Sequence, residues 1–443
     1  MEDLEVRDPS RSPSVSEDLF LASLRQRVVL LSPVTASLPG IQQRGDVAKR
    51  AFSEICDAAA RFGAFLDDSR ARMNRTFAPL SEFTSSLRGF AKIGRHLSHL
   101  EPRVGDLFPL PAGDEGKAFQ KDLKETVQFV RKAVRKFEEA VRKELKTLLG
   151  AEPADHGRDA PLENAPLTGT ALLPDSLEEG SVSDQERRIA ELASKFLGHR
   201  RILKRQSQQK RFIVPDEMSK FVLEVSDEQE VRFFETRIHT LLSRYDTYVE
   251  GTPIEDKDPE LKRFRRLTDV MHKLLQSMVE LVHFYERHEN DIRCEAAKNR
   301  IATIIDKREV LDRILNFNLY YLHSYVDLAA PLAESLVERY TKQTRVTLPI
   351  PEGVYLHARP VSLITRVVAH HGTPVNMTLG DVTCYAGSII NVLMAVGAHV
   401  STREVTFEGD SAPLGDLRLL FESRLGEGPD PLPSTLSYLG LKS

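Results

Sequence analysis

The sequence predicts a multidomain, mostly α-helical chain: a long-helix bundle in the N-terminal part, then a small C-terminal α/β open-faced sandwich. Three observations carry that expectation. Apolar residues recur at steps of three and four through much of 18–343, the period of a helix with one buried face. Near residue 344 the period changes to alternation, the mark of a half-buried strand. Between two helical stretches lies an aperiodic segment, 151–182, with several prolines and glycines, a composition that cannot bury enough apolar surface to offset ordering.

In chain order, residues 1–17 are polar and Pro/Ser-containing and predict a disordered lead. From 18 to 150 the pattern is helical. It is clearest over 117–150, where Phe119, Leu123, Val127, Val130, Val134, Phe137, Val141 and Leu145 draw one stripe and Gly150 suits the stop. After the 151–182 linker, Ser183 with Glu186 and Ser226 with Gln229 read as helix starts of the capping-box type. Val231, Phe234, Ile238, Leu241, Tyr245 and Tyr248 then share a face, as do Leu261, Phe264, Leu267, Met271, Leu274, Met278, Leu281 and Tyr285. A third long pattern, 291–342, runs through Ile301, Ile304, Leu311, Leu315, Leu319 and Leu322, with Pro331 as a kink. Helices of this length over 183–343 predict an antiparallel bundle.

From 344 to 428 the elements are short. "RVTLPI" puts Val346, Leu348 and Ile350 on one strand face, and 358–371 reads as a helix with Val361, Ile364 and Val368 inward. "VNMTL" and "VTCY" flank Gly380-Asp381, an acceptable hairpin turn. A short apolar helix from about 388, the strand "EVTFE" and a last helix built on Leu414, Leu417 and Leu420 follow. The order β-α-β-β-α-β-α suits an antiparallel sheet covered on one face. Residues 429–443 predict a tail.

At 443 residues the chain exceeds one ordinary domain, and 41% hydrophobic with 28% charged residues supports a sizeable core and a soluble surface. A net charge of −4 gives no whole-molecule attraction to nucleic acid, so no nucleic-acid partner is expected. Cys56, Cys294 and Cys384 are far apart and form no CxxC, which fits a reducing compartment. The opening "MEDLEVRDPS" is unlike a signal peptide, and the uncharged run 388–401 is too short to span a bilayer. A cytoplasmic protein without a membrane span is expected.

The chemistry concentrates at "PEGVYLHARPVSL", 351–363. If the helix starts after His357, that residue is the N-cap and Arg359 and Pro360 stand in the first turn, where proline is tolerated. First-turn N–H groups lack internal acceptors and carry partial positive charge. An anion held on the imidazole would meet those donors and the Arg359 guanidinium, and a phosphoryl group fits best. Neutral imidazole is also a competent nucleophile near pH 7.

"YLHARP" between a first strand and a first helix, with Ser388 opening the second helix in "GSIINVLM", resembles the histidine-containing phosphocarrier protein (HPr) family of the bacterial phosphotransferase system. The resemblance covers about 345–428; residues before it resemble no family. It implies that His357 accepts a phosphoryl group from an enzyme I-like donor and passes it to an acceptor protein, with Arg359 steadying the phosphohistidine. It also implies a regulatory serine kinase acting at Ser388, and partner docking through Ile389, Ile390 and Leu393. No cofactor is implied. Tyr355 stands where the family usually has glycine, here moved to Gly353, and Val354 replaces a common small polar residue; Gly387 precedes the serine where a basic residue is frequent.

Plainer readings stand beside these. His357 can simply cap its helix, in a non-catalytic adaptor that keeps the fold for docking and binds partners through its helices. Ser388 is favoured at a helix N-cap regardless of regulation. Of the adjacent Ile389 and Ile390, at least one is expected to face the sheet, since neighbours on a helix do not share a face. The basic run "HRRILKRQSQQKR", 199–211, reads as a solvated face. His96 with His99, and His283 with Glu286, are isolated pairs, so no metal site is expected. Homo-oligomerisation through the helical stripes is a third reading.

Overall fold

The computed structural model describes residues 16–101, 110–111, 113–150, 182–290, 294–399, 401–429 and 431–440; the expected lead and linker lie almost wholly outside them. Along the chain the helices are α1 (Glu17–Arg27), α2 (Ser32–Ser37), α3 (Gly45–Asp68), α4 (Ala78–Leu100), α5 (Asp114–Leu149), α6 (Val182–Gln206), α7 (Pro215–Glu224), α8 (Glu228–Tyr248), α9 (Pro253–Lys257), α10 (Pro259–His283), α11 (Glu295–Ile304), α12 (Lys307–Asp312) and α13 (Tyr320–Tyr340). There follow β1 (Gln343–Pro349), α14 (Ala358–His371), β2 (Val375–Leu379), β3 (Val382–Tyr385), α15 (Ile389–Ala398), β4 (Glu404–Asp410) and α16 (Ser411–Glu422). The described residues are thus mostly helical, with one four-stranded antiparallel sheet near the C-terminus.

Two compact units are interleaved along the chain. The first comprises Met1–Leu173, Gln209–Glu235 and His272–His323; the second comprises Pro174–Gln208, Thr236–Met271 and Ser324–Ser443.

In the first unit α3, α4 and α5 pack side by side in sequence. The stripe expected on α5 is buried at all its positions from Phe119 to Leu145, and Gly150 takes the left-handed conformation that ends the helix. Gly94 lets α4 approach α3 closely, because a Cβ there would sit 2.3 Å from the Phe52 ring. Phe90 meets Phe129, Phe137 and Phe284 with ring centroids 5.0–5.8 Å apart; burying each such ring stabilises by roughly 1.5–3 kcal/mol.

Three helix expectations change. The cap of α8 is Asp227, whose Oδ1 accepts the Glu230 N–H at 2.9 Å, so Ser226 stands one residue too early. Ser183 lies inside α6, which begins at Val182. The long pattern of 291–342 is broken: Asp306 caps a new helix by accepting the Arg308 N–H at 2.9 Å, and Arg313–Leu319 winds as π-helix before α13. Pro331 sits within continuous α13. The stretch Glu17–Gln42 is long and apolar enough by composition to cross a membrane, longer than the run singled out by sequence. Its Phe20, Leu24, Val34 and Ile41 are buried in this unit.

In the second unit the sheet order is β1-β4-β2-β3, all neighbours antiparallel. Val375, Met377, Leu379, Val405 and Phe407 line one face, packed with Val361, Ile364 and Val368 of α14, Val392 of α15 and Leu414, Leu417 and Leu420 of α16. The opposite face carries threonines, with Thr347 bonded to Thr406 and Thr378 to Thr383, each at 2.9 Å. The segment after α16 joins this core through buried Leu436 and Leu439.

Candidate functional site

Alternation places the approach to His357. Val354 and Leu356 are buried while Tyr355 between them is 64% exposed, so the bulky residue lies in solvent and leaves the next turn uncovered. The His357 N–H donates to the Tyr355 carbonyl at 2.9 Å, tightening the chain just before the helix. His357 is the N-cap of α14 with extended backbone, and its Nδ1 accepts the Arg359 N–H at 3.4 Å. Pro360 is third in the helix and buried, where its missing N–H costs nothing. The His357 side chain remains 55% exposed and that of Arg359 56%. Imidazole, a first-turn N–H and a guanidinium therefore share one exposed corner, which suits an anion attached at Nδ1.

One residue of this corner escaped sequence reasoning. Glu427 Oε1 lies 3.7 Å from both His357 Nε2 and Arg359 Nε. It is brought there by a loop in which Arg424, Leu425 and Gly426 all have positive φ. Two non-glycine residues in that conformation cost about 1–2 kcal/mol each. Buried Leu425 and the Arg424 Nη2 bond to the Glu352 carbonyl, at 2.8 Å, hold the loop in place. The signal was nearly invisible in sequence, because only Gly426 advertises a turn.

Ser388 caps α15, its Oγ accepting the Asn391 N–H at 3.4 Å. Gly387 before it is dictated locally: a Cβ there would fall 2.5 Å from the Tyr385 ring. The expectation that one of Ile389 and Ile390 faces the sheet is corrected. Both are exposed, with Leu393 and Met394, and the inward positions are Val392 and Ala395. The helix presents one narrow stripe to the core, and the isoleucines fall on its other side.

The Lys and Arg side chains of the basic run are exposed or part-exposed, as a solvated face requires, and several of them also have partners. Lys204 and Arg200 pair with Asp327 at 2.6 and 3.4 Å, and Arg201 stands 5.6 Å over the Tyr385 ring. Arg211 bonds Tyr321 and Asp122 at 3.1 and 3.2 Å and stacks on Tyr320. Burial, with the Arg237 guanidinium adding to it, pushes His199 down to about 4. Among the described residues no three His, Cys, Asp or Glu side chains gather as a metal-binding group; His283 Nδ1 is 2.9 Å from Glu228 Oε2.

No protein-family model, curated protein or solved structure matches this chain.

Proposed function

We propose that the C-terminal region is an HPr-like phosphocarrier module, joined to a helical region that regulates it or binds its partners. The phosphoryl group is carried on His357 Nδ1, drawn from an enzyme I-like donor and handed to an acceptor protein. The observation that carries this reading is the cap geometry: an exposed imidazole whose Nδ1 lies 3.4 Å from the Arg359 N–H, with the Arg359 guanidinium at the same exposed corner. A phosphoryl group on Nδ1 takes over that amide as a donor and gains a charge-assisted partner in Arg359. In the step the Nδ1 lone pair forms the N–P bond, the donor's bond to phosphorus breaks, and the donor nitrogen keeps that electron pair. The strand order β1-β4-β2-β3 and the exposed α15 residues are in keeping with the same reading. Ser388 is then the regulatory site, where a dianion beside Ile389, Ile390 and Leu393 opposes docking through repulsion and desolvation.

The second reading, a non-catalytic adaptor, is favoured by the exposed apolar group on α15, which can serve docking whether or not His357 reacts. One experiment separates the two. The full chain is incubated with phosphoenolpyruvate and a bacterial enzyme I, and acid-labile phosphate is measured with His357→Ala as control. The phosphocarrier reading expects labelled wild type and an unlabelled variant. A folded wild type that takes no label leaves the adaptor; label persisting in the variant removes His357 from the role.

A further inference from the structure

The sheet of the second unit ends at β1, whose outer side is an open edge. The Ile350 N–H donates to the Arg403 carbonyl at 2.7 Å, and the Ser411 N–H donates to the Lys342 carbonyl at 3.0 Å. Even-numbered residues of β1 therefore turn their main-chain groups toward β4, and Gln343, Arg345, Thr347 and Pro349 turn theirs away. Among the described residues those outward groups have no hydrogen-bond partner, and all four residues are exposed. Beside this edge a groove of about 530 Å³ is lined by Val346, Leu348 and Pro349 of β1 and by Arg418, Phe421 and Glu422 of α16. An unpaired row of donors and acceptors next to an apolar groove is a template for another strand.

We infer that this edge pairs antiparallel with the same edge of a second copy of the chain, about a two-fold axis at Val346, giving one continuous sheet. Three symmetric registers compete. Centring on Arg345 sets that residue opposite its own copy, like charge against like charge. Centring on Thr347 sets Pro349 opposite Arg345, where proline has no N–H to return, and leaves Gln343 beyond the paired strand. Centring on Val346 sets Arg345 opposite Thr347, so both residues exchange N–H···O bonds in each half, and only the strand ends lose a donor to Pro349. It also brings the two Val346 side chains together on the groove side, a favourable β-branched pair.

Charge selects a second copy over a foreign strand, which would meet the same main-chain groups. Arg418 and Glu422 are exposed and have no ion-pair partner among the described residues. Arginine four residues before glutamate is the weaker order for a pair within one helix. α16 runs alongside β1, from Ser411 bonded at Lys342 to Phe421 and Glu422 beside Pro349. Val346 lies about 13 Å along the strand from Lys342, a length that spans about nine helix residues from Ser411 and so ends near Leu420. Leu420 is midway between Arg418 and Glu422, so the two-fold axis lays the copies of α16 antiparallel with Arg418 of each facing Glu422 of the other. Nothing in this pairing uses His357, and failure of either assignment leaves the other standing.

The test is sedimentation of the full chain across concentration, joined to cysteine cross-linking. A dimer is expected, with a dissociation constant of about 1–100 μM. Arg418→Glu and Glu422→Arg each turn both facing pairs into like charges and should weaken it about tenfold. Mixed one to one, the two variants should regain the wild-type affinity, because each supplies the charge the other lacks. Val346→Cys should cross-link to its own copy under mild oxidation, since facing Cα atoms of a non-hydrogen-bonded pair lie about 4.5 Å apart. Thr344→Cys, two residues along the same face, should not, its copy being about 13 Å away. The wild type, with Cys56, Cys294 and Cys384, sets the background. Should Val346→Cys loosen the fold, the charge swaps decide alone. A monomer at every concentration, a mixture no tighter than its components, or cross-linking at 344 in place of 346 overturns the assignment.

Discussion

His357 stands just before the first residue of α14 and His371 is its last. The N-terminal histidine is open, 55% exposed, touching an amide at 3.4 Å and a carboxylate at 3.7 Å. The C-terminal one is 11% exposed, and its Nε2 meets Asp416 Oδ2 at 2.8 Å. That carboxylate oxygen also accepts the Tyr438 hydroxyl at 2.7 Å, and the Tyr438 ring lies flat on His370 at 3.6 Å. The same residue type therefore does two different jobs on one helix. At the start, unpaired N–H donors and the positive end of the dipole favour an acceptor and an incoming anion. At the end, the negative dipole and a part-buried carboxylate favour a donor, so His371, through the Asp416 oxygen it shares with Tyr438, pins the last segment of the chain. The neighbourhood of each ring, rather than its identity, makes one a candidate for chemistry and the other a fastener.

The largest expected effect tests that division directly. His371→Ala removes a short bond to a carboxylate and leaves Asp416 with one donor fewer, a loss of about 1.5–3 kcal/mol. His357→Ala removes one long capping bond and should cost at most about 0.5–1 kcal/mol. Native-state hydrogen exchange of the α14 amides reads both. Equal losses would erase the contrast, and a larger loss for His357→Ala would invert it.

Glu427→Gln probes the open end alone. The carboxylate lies 3.7 Å from both His357 Nε2 and Arg359 Nε, and on the proposed reading it would repel a phosphoryl group placed between them. At a separation of about 6 Å in water that repulsion is worth roughly 0.7 kcal/mol per unit charge. With about −1.5 to −2 charges on the phosphoryl group, the variant should shift the phosphoryl-transfer equilibrium about six- to tenfold toward the phosphorylated chain, measured as fraction labelled at fixed donor. A shift the other way would mean that Glu427 holds the imidazole in place and that its repulsion is minor.

Legibility in the sequence followed the range of the interactions. The α5 stripe was readable because a helix period is a local property, and all its expected positions are buried. His357 was readable as a cap for the same reason: histidine, arginine and proline stand adjacent. Local reasoning also misled. Asp227 displaced Ser226 because two capping types compete at neighbouring positions, and Ile389 and Ile390 face away because the helix buries a narrower stripe than assumed. What lay beyond local reach was Glu427, delivered by a left-handed turn far along the chain, and the partners of 199–211, which come from other helices. A basic run and its remote acid Asp327 carry no shared local pattern.

The smallest effect concerns the closed end and pH. Burial, then the neighbouring His371, pushes His370 below its ordinary value, with Asp416 opposing; Arg187 lowers it further and Glu191 raises it. A folded-state pKa below the unfolded one means that the stability it contributes is complete above about pH 6.5 and is lost as the pH falls through the folded value. His370 is mostly exposed, so screening holds the contribution to a few tenths of a kcal/mol, about the size of a surface interaction. His370→Phe keeps a ring over Tyr438 and removes the proton. Exchange of the Ser434–Leu439 amides should then quicken between about pH 7 and 5 in the wild type, after correction for intrinsic rates, and stay flat in the variant. A slope that survives His370→Phe belongs to another group.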